Sequence, residues 1–150
     1  MKATITLFFI LIYFLAPAQN NEKELAKIEE TRNGFMLAIK EKRYQDLTNF
    51  TTSDMETIGP ASEGFLEMYE IGKERGAFPY DRIIMTPKET VIVSDSIAYD
   101  YGTSEVYYTN TLGEQKLLTN SYLVILKKDT KGTWRLHREV ASGQVKQSNN

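Results

Sequence analysis

The chain contains no cysteine and a single histidine, His137, in 150 residues. With no cysteine there is no disulfide to brace the fold, so stability has to come from buried apolar surface. The cleavage-site cysteine of a bacterial lipoprotein is missing too. One imidazole and no thiol are too few soft ligands for a zinc or transition-metal site, and no metal or other cofactor is expected. An excess of positive charge is also lacking. Eighteen basic residues face 20 acidic ones, for a net charge of −2 and a pI near 5.5, which argues against nucleic acid as a partner. There is no internal repeat, no low-complexity tract and no glycine-rich phosphate loop, since Gly72 and Gly76 fall in or at the end of a predicted helix. Ser104, Ser121 and Ser142 lack the strand–turn–helix pattern around a nucleophilic serine, which sets aside serine chemistry assisted by His137.

What is present begins with MKATITLFFILIYFLAPA, residues 1–18. One charge at Lys2, an apolar run from about Ile5 to Leu15, and the small residues of Ala16-Pro17-Ala18 make the pattern of a secretory signal, too short for a good spanning helix. The expectation is an exported chain, periplasmic or extracellular, cleaved near Ala18 and free of the membrane afterwards; an uncleaved anchor is the alternative. Residues 19–145 are expected to form one domain, and 146–150 a frayed tail.

Along that domain, Asn20 or Asn21 offers a helix cap with Glu22 and Glu24 behind it, and Leu25, Ile28, Phe35, Met36 and Ile39 recur at helical spacing to about Lys42. Arg32 falls on this apolar stripe. Gly34 sits inside the helix at a cost of about 1 kcal/mol relative to alanine, leaving room for a neighbouring element or a ligand. Arg43–Phe50 predicts a short second helix, Thr51–Asp54 a break, and Met55–Ile58 a short strand ending at Gly59-Pro60. Ser62 and Glu63 open a third helix that stops at Gly76. From Asp81 the apolar period becomes two. Ile83–Met85, Val91–Val93 and Ile97–Tyr108 read as strands, with Pro87-Lys88-Glu89 and Ser94-Asp95-Ser96 as tight connections and Asn110–Glu114 as a turn.

The last stretch, Thr119–Ala141, reads as a hairpin around the polar loop Lys127–Gly132. Its second strand places Trp134, Leu136 and Val140 on one parity, with Arg135, His137 and Glu139 on the other; Trp134 is the expected core anchor. Helices first and strands afterwards predict an α+β domain, four or five antiparallel strands with helices against one face.

Several of these residues carry a family resemblance. Phe35, Ala38 and Lys42 on the first helix, Tyr44-x-x-Leu47 on the second, Asp95-Ser96-Ile97-Ala98-Tyr99, Tyr122-Leu123-Val124 and Gly132-Thr133-Trp134-Arg135-Leu136 resemble the SnoaL-like, DUF4440-type branch of the nuclear transport factor 2-like superfamily. That superfamily also contains ketosteroid isomerase. The resemblance covers almost all of residues 19–145 and implies a cone, a strongly bent antiparallel sheet wrapped around N-terminal helices with a pocket at its open end, often as a homodimer. Isomerase chemistry of that kind needs a helix tyrosine, an aspartate before a proline, and a protonated acid on a later strand. The matching positions are Phe35, Gly59 and the carboxylate-free strand Thr119–Leu126, so all three roles are vacant.

Asn120, Tyr122, His137 and Glu139, with Tyr101 from a strand that also holds Tyr99, Tyr107 and Tyr108, are the pocket candidates. If their face looks into the cone, His137 and Glu139 form an acid–base pair; if it looks outward, they are solvated or belong to a dimer contact. The reading is an exported binder of a small, partly apolar molecule with no established catalysis. A cyclase- or isomerase-like enzyme using His137 and Glu139, and a dimerisation or association module, are the alternatives.

Overall fold

In a computed structural model, the backbone is described for residues 3–143 and the side chains for residues 21–143. Helix α1 (Ala3–Lys40) leads into a 3₁₀ helix (Tyr44–Asn49) and strand β1 (Thr51–Ile58); α2 (Glu63–Arg75) follows, then β2 (Arg82–Ile92), β3 (Ile97–Thr109), β4 (Gln115–Lys128) and β5 (Trp134–Gly143). The leader expected at residues 1–18, its cleavage near Ala18 and the tail at 146–150 lie outside the residues whose side chains are described. Asn20 and Asn21 are inside α1, so neither caps it. Among the described residues, no helix is long and apolar enough to cross a membrane.

The five strands form one sheet in the order β1-β5-β4-β3-β2, and the helices pack on one side, an α+β arrangement. Four strands run as an antiparallel meander, but β1 lies parallel to β5, so the sheet is mixed rather than antiparallel throughout. A parallel neighbour needs a long crossover, and everything from α2 to β4 supplies it. Thr51–Asp54, expected as a break, is the first half of β1; Thr51 is in register with Leu136, and the Leu136 amide donates to the Phe50 carbonyl at 2.9 Å. Ile83–Met85 and Val91 are likewise not separate strands. Both pair with β3, and Pro87–Glu89 between them is an irregularity within β2 rather than a turn. Gly102 makes this possible: a Cβ there would lie 2.1 Å from the Thr86 carbonyl oxygen.

Alternation decides which side of the sheet is covered. Ala98, Asp100, Ser104, Val106 and Tyr108 of β3 and Asn120, Tyr122, Val124 and Leu126 of β4 are all buried. The apolar and aromatic ones among them meet Ile28, Phe35 and Ile39 of α1 and Phe65 and Met68 of α2 in one core. Trp134 is 1% exposed, and its indole donates to Glu24 of α1 at 2.8 Å. Lys128 lies over the ring and also pairs with Glu24, whose pKa it draws down to about 2. The interruption of the α1 stripe at Arg32 is an ion pair: its Nε donates to Asp100 of β3 at 2.8 Å, and Thr90 donates to the other carboxylate oxygen. Gly34 leaves room for the Phe50 ring, which a Cβ would meet at 2.2 Å.

The decisive local feature is in β5. Leu126 is in register with Leu136, and the next partner on β4, Ile125, is in register with Arg138. His137 is therefore the extra residue of a β-bulge, where two residues oppose one and the alternation slips. Trp134 and Leu136 face the core before the bulge, and Glu139 and Ala141 take that face after it. Val140 is correspondingly turned outward and 49% exposed, against the parity expected from the sequence.

Candidate functional site

Between the helices and the open end of the sheet lies a cavity of about 250 Å³. Phe35 of α1, Met55 and Thr57 of β1, and Gly59-Pro60 form one wall. Phe65, Met68 and Tyr69 of α2 close it over, joined by Phe78 and Tyr80 from the segment before β2. The sheet side is Ile83, Ser104, Val106, Asn120, Glu139 and Ala141. Phe78 packs edge-on against Tyr80, ring centroids 4.7 Å apart, which fixes two of the aromatic walls. The backbone at Gly59 admits the Tyr69 hydroxyl, 2.7 Å from where a Cβ would be.

The five pocket candidates separate. Asn120 and Glu139 line the cavity; Tyr122, His137 and Tyr101 do not. The Asn120 side-chain oxygen accepts from Ser104 Oγ at 2.8 Å, so this polar pair is satisfied on the sheet side. Tyr122 is buried next to the Arg32–Asp100 pair with its hydroxyl unpartnered, and burial first, then the Asp100 charge, raises its pKa. Tyr101 is of the opposite parity from buried Asp100 and Gly102 and belongs to the outer face, near Tyr99. His137 is removed by the bulge. Its Nδ1 lies 3.0 Å from Thr52 Oγ1 and 3.4 Å from the Asp54 carboxylate, and desolvation, then Arg138 and Lys127, lowers its pKa against the pull of Asp54. The expected His137–Glu139 pair does not form, because the extra residue sends the two side chains to opposite faces.

Glu139 is left as the one carboxyl lining the cavity. No hydrogen bond or ion pair to it is formed among the described residues, and burial alone raises its pKa to about 7. The contrast with Asp100 is instructive. Register places Asp100, Val124 and Glu139 in one row across β3, β4 and β5. Asp100 at one end is neutralised by Arg32, and Glu139 at the other is not. Tyr69 and Tyr80 line the same cavity, and burial first, then the charge of Glu139, raises the phenol pKa of both. A carboxyl poised in this range can hold or release a proton at neutral pH. Among the described residues, no group of three or more histidines or carboxylates is placed to hold a metal ion.

Phe78 and Tyr80 lie between periodic segments, Tyr69 reads only as an apolar position of the third helix, and nothing in the sequence marks the three as cavity residues; Arg32 on an apolar stripe is the one visible sign of the buried pair. Of the positions at which isomerase chemistry would stand, Phe35, Gly59 and, from β4, Asn120 line the cavity, and none of these three has an ionisable side chain.

No family model matches the sequence, and no curated protein matches it. Solved structures do. A ketosteroid isomerase-like protein from Erwinia carotovora atroseptica is 24% identical, with a TM-score of 0.59 over 79% of this chain and 95% of that one. A nuclear transport factor 2-like protein from Salmonella enterica superposes with a TM-score of 0.63 at 14% identity, over 87% and 97% of the two chains. A putative calcium/calmodulin-dependent protein kinase II association domain from Xanthomonas campestris gives 0.52 at 13% identity, over 79% and 84%. The chain has the nuclear transport factor 2-like fold, with its sheet open rather than closed into a barrel.

Proposed function

We propose that this protein binds a small, largely apolar molecule in the cavity and holds it against Glu139, and that it does so outside the cytoplasm. The observation that carries the reading is an aromatic-walled cavity of about 250 Å³ with one unpaired carboxyl on its sheet side. Ligand sites are mostly apolar with a few converging polar groups and commonly measure about 300–1,000 Å³, so this one suits a ligand of one or two rings. Export rests on the leader pattern of residues 1–18. The SnoaL-like, DUF4440-type branch is the subtype the sequence motifs favour.

Methyl NMR with benzyl alcohol tests the binding. Saturable shifts at Met55, Met68 and Ile83, abolished by filling the space with Ala141→Leu, are the expected result. An unresponsive cavity, or shifts confined to the outer face, would overturn it.

A second reading, homodimer formation, has its own observation. On the outer face, register aligns Tyr101, Leu123, Val140 and Ile58 across four strands. Leu123, Val140 and Ile58 are 44%, 49% and 67% exposed, a contiguous apolar row of the kind that marks an interaction site. Sedimentation velocity should give a dimer that Leu123→Lys converts to monomer; a wild-type monomer at high micromolar concentration would refute this.

A further inference from the structure

We infer that the cavity selects an organic cation, a primary or substituted amine carried on a small aromatic or aliphatic body. The inference rests on the cavity being a binding site, as proposed above. It starts from charge: Glu139 is the one acidic residue among those lining the space, and none of them is lysine, arginine or histidine. The fold supplies an internal cation to the other carboxyl of the same row, Asp100, through Arg32 of α1. Among the described residues it supplies none to Glu139. A desolvated carboxyl without a partner is unfavourable, and a ligand ammonium entering the cavity replaces the missing partner with a charge-assisted hydrogen bond.

The walls agree with that assignment. Phe35, Phe65, Tyr69, Phe78 and Tyr80 line the space, and aromatic faces attract ammonium groups through their quadrupoles. Rings together with one carboxylate are the chemistry of an ammonium cage. An anionic ligand meets no positive group in the cavity and a negative one at Glu139. Neutral ligands gain the apolar contact alone. Of the other groups facing Glu139, Tyr69 from α2 and Tyr80 from the segment before β2 are phenols with raised pKa, and Thr57 of β1, Ser104 and Asn120 do not ionise. Arg32 and Asp100 remain paired one strand beyond Val124. Across neutral pH, Glu139 is the lining group that changes charge, and amine binding rises with its ionisation.

The experiment compares benzylamine, benzyl alcohol and benzoate by NMR titration of the full chain at pH 8 and pH 5. At pH 8 benzylamine should bind at least about tenfold more tightly than benzyl alcohol, from a charge-assisted bond and cation–π contact, and benzoate more weakly than either. Protonation of Glu139 at pH 5 should shrink the preference. Glu139→Gln should bring the amine and the alcohol to within about threefold of one another at both pH values. Benzyl alcohol binding as tightly as benzylamine to the wild type at pH 8 overturns the cation assignment and leaves the cavity reading standing. A chain that takes neither probe overturns both.

Discussion

Glu139 is the residue on which the proposed site depends, and its environment bears on stability as well as on the proposed binding. Its pKa is raised from 4.5 to about 7 by burial. Below pH 4.5 the group is protonated in both folded and unfolded chains and costs nothing. Between 4.5 and 7 the folded chain keeps a proton that the unfolded chain has released, so stability falls as pH rises through this window and levels off above it. Glu139→Gln removes the effect. The stability difference between variant and wild type, from urea unfolding, should grow in the variant's favour by on the order of 2–3 kcal/mol between pH 5 and pH 8. A difference that stays constant over that range would mean the carboxyl is solvated. His137, by contrast, should titrate below its ordinary value by NMR, ignore Glu139→Gln, and move lower still in Asp54→Asn, because Asp54 is the group holding it up. A response to Glu139→Gln would put the two residues on the same face. Trp134, 1% exposed and tied to Glu24, should cost about 3–5 kcal/mol on truncation to alanine; an unchanged urea midpoint would place the indole at the surface.

At the scale of elements, two irregularities shape the sheet, and both separate what could be read from the sequence from what could not. The order of helices and strands, the stop at Gly76, the turn at Asn110–Glu114 and the loop before Trp134 were legible because their signals are local: spacing, charge and a turn glycine. The structure adds Asp129 to the loop, its carboxylate accepting from the amides of Lys131 and Thr133. The bulge at His137 was not legible. A strict period of two from Trp134 to Val140 fits the residue types, and only pairing with β4 shows that one residue is extra. So Glu139 was identified as a pocket residue on a parity that also assigned His137 to the pocket and Val140 to the core. The parallel pairing of β1 escaped for a related reason, since polar Thr51–Asp54 has no strand pattern of its own and is held by β5. In β2, the irregularity at Pro87–Glu89 relies on Gly102, where the Thr86 and Pro87 backbone comes within 2.1 Å and 2.8 Å of a Cβ position. Gly102→Ala should therefore cost at least about 1–3 kcal/mol, as overpacking against a backbone that cannot step aside. Stability within about 0.5 kcal/mol of wild type, the ordinary range for a surface substitution, would show that β2 does not follow β3 so closely.

On the scale of the whole molecule, the two faces of the sheet differ in what lies over them. The covered face holds the core at one end, around Trp134, Leu126 and Leu136, and at the other end stops short of filling the space beneath α2. Its far side carries the apolar row from Tyr101 to Ile58 and the His137–Asp54–Arg138 cluster. That difference is what makes Glu139 unusual: the helices and the aromatic segment before β2 cover most of it, while among the described residues no element brings a cation to meet it. The carboxyl carbon of Glu139, followed by ¹³C NMR from pH 4 to pH 9, reports this directly. The account predicts a midpoint near 7, shifted downward when benzylamine is present. A midpoint near the ordinary 4.5, unmoved by the amine, would contradict it.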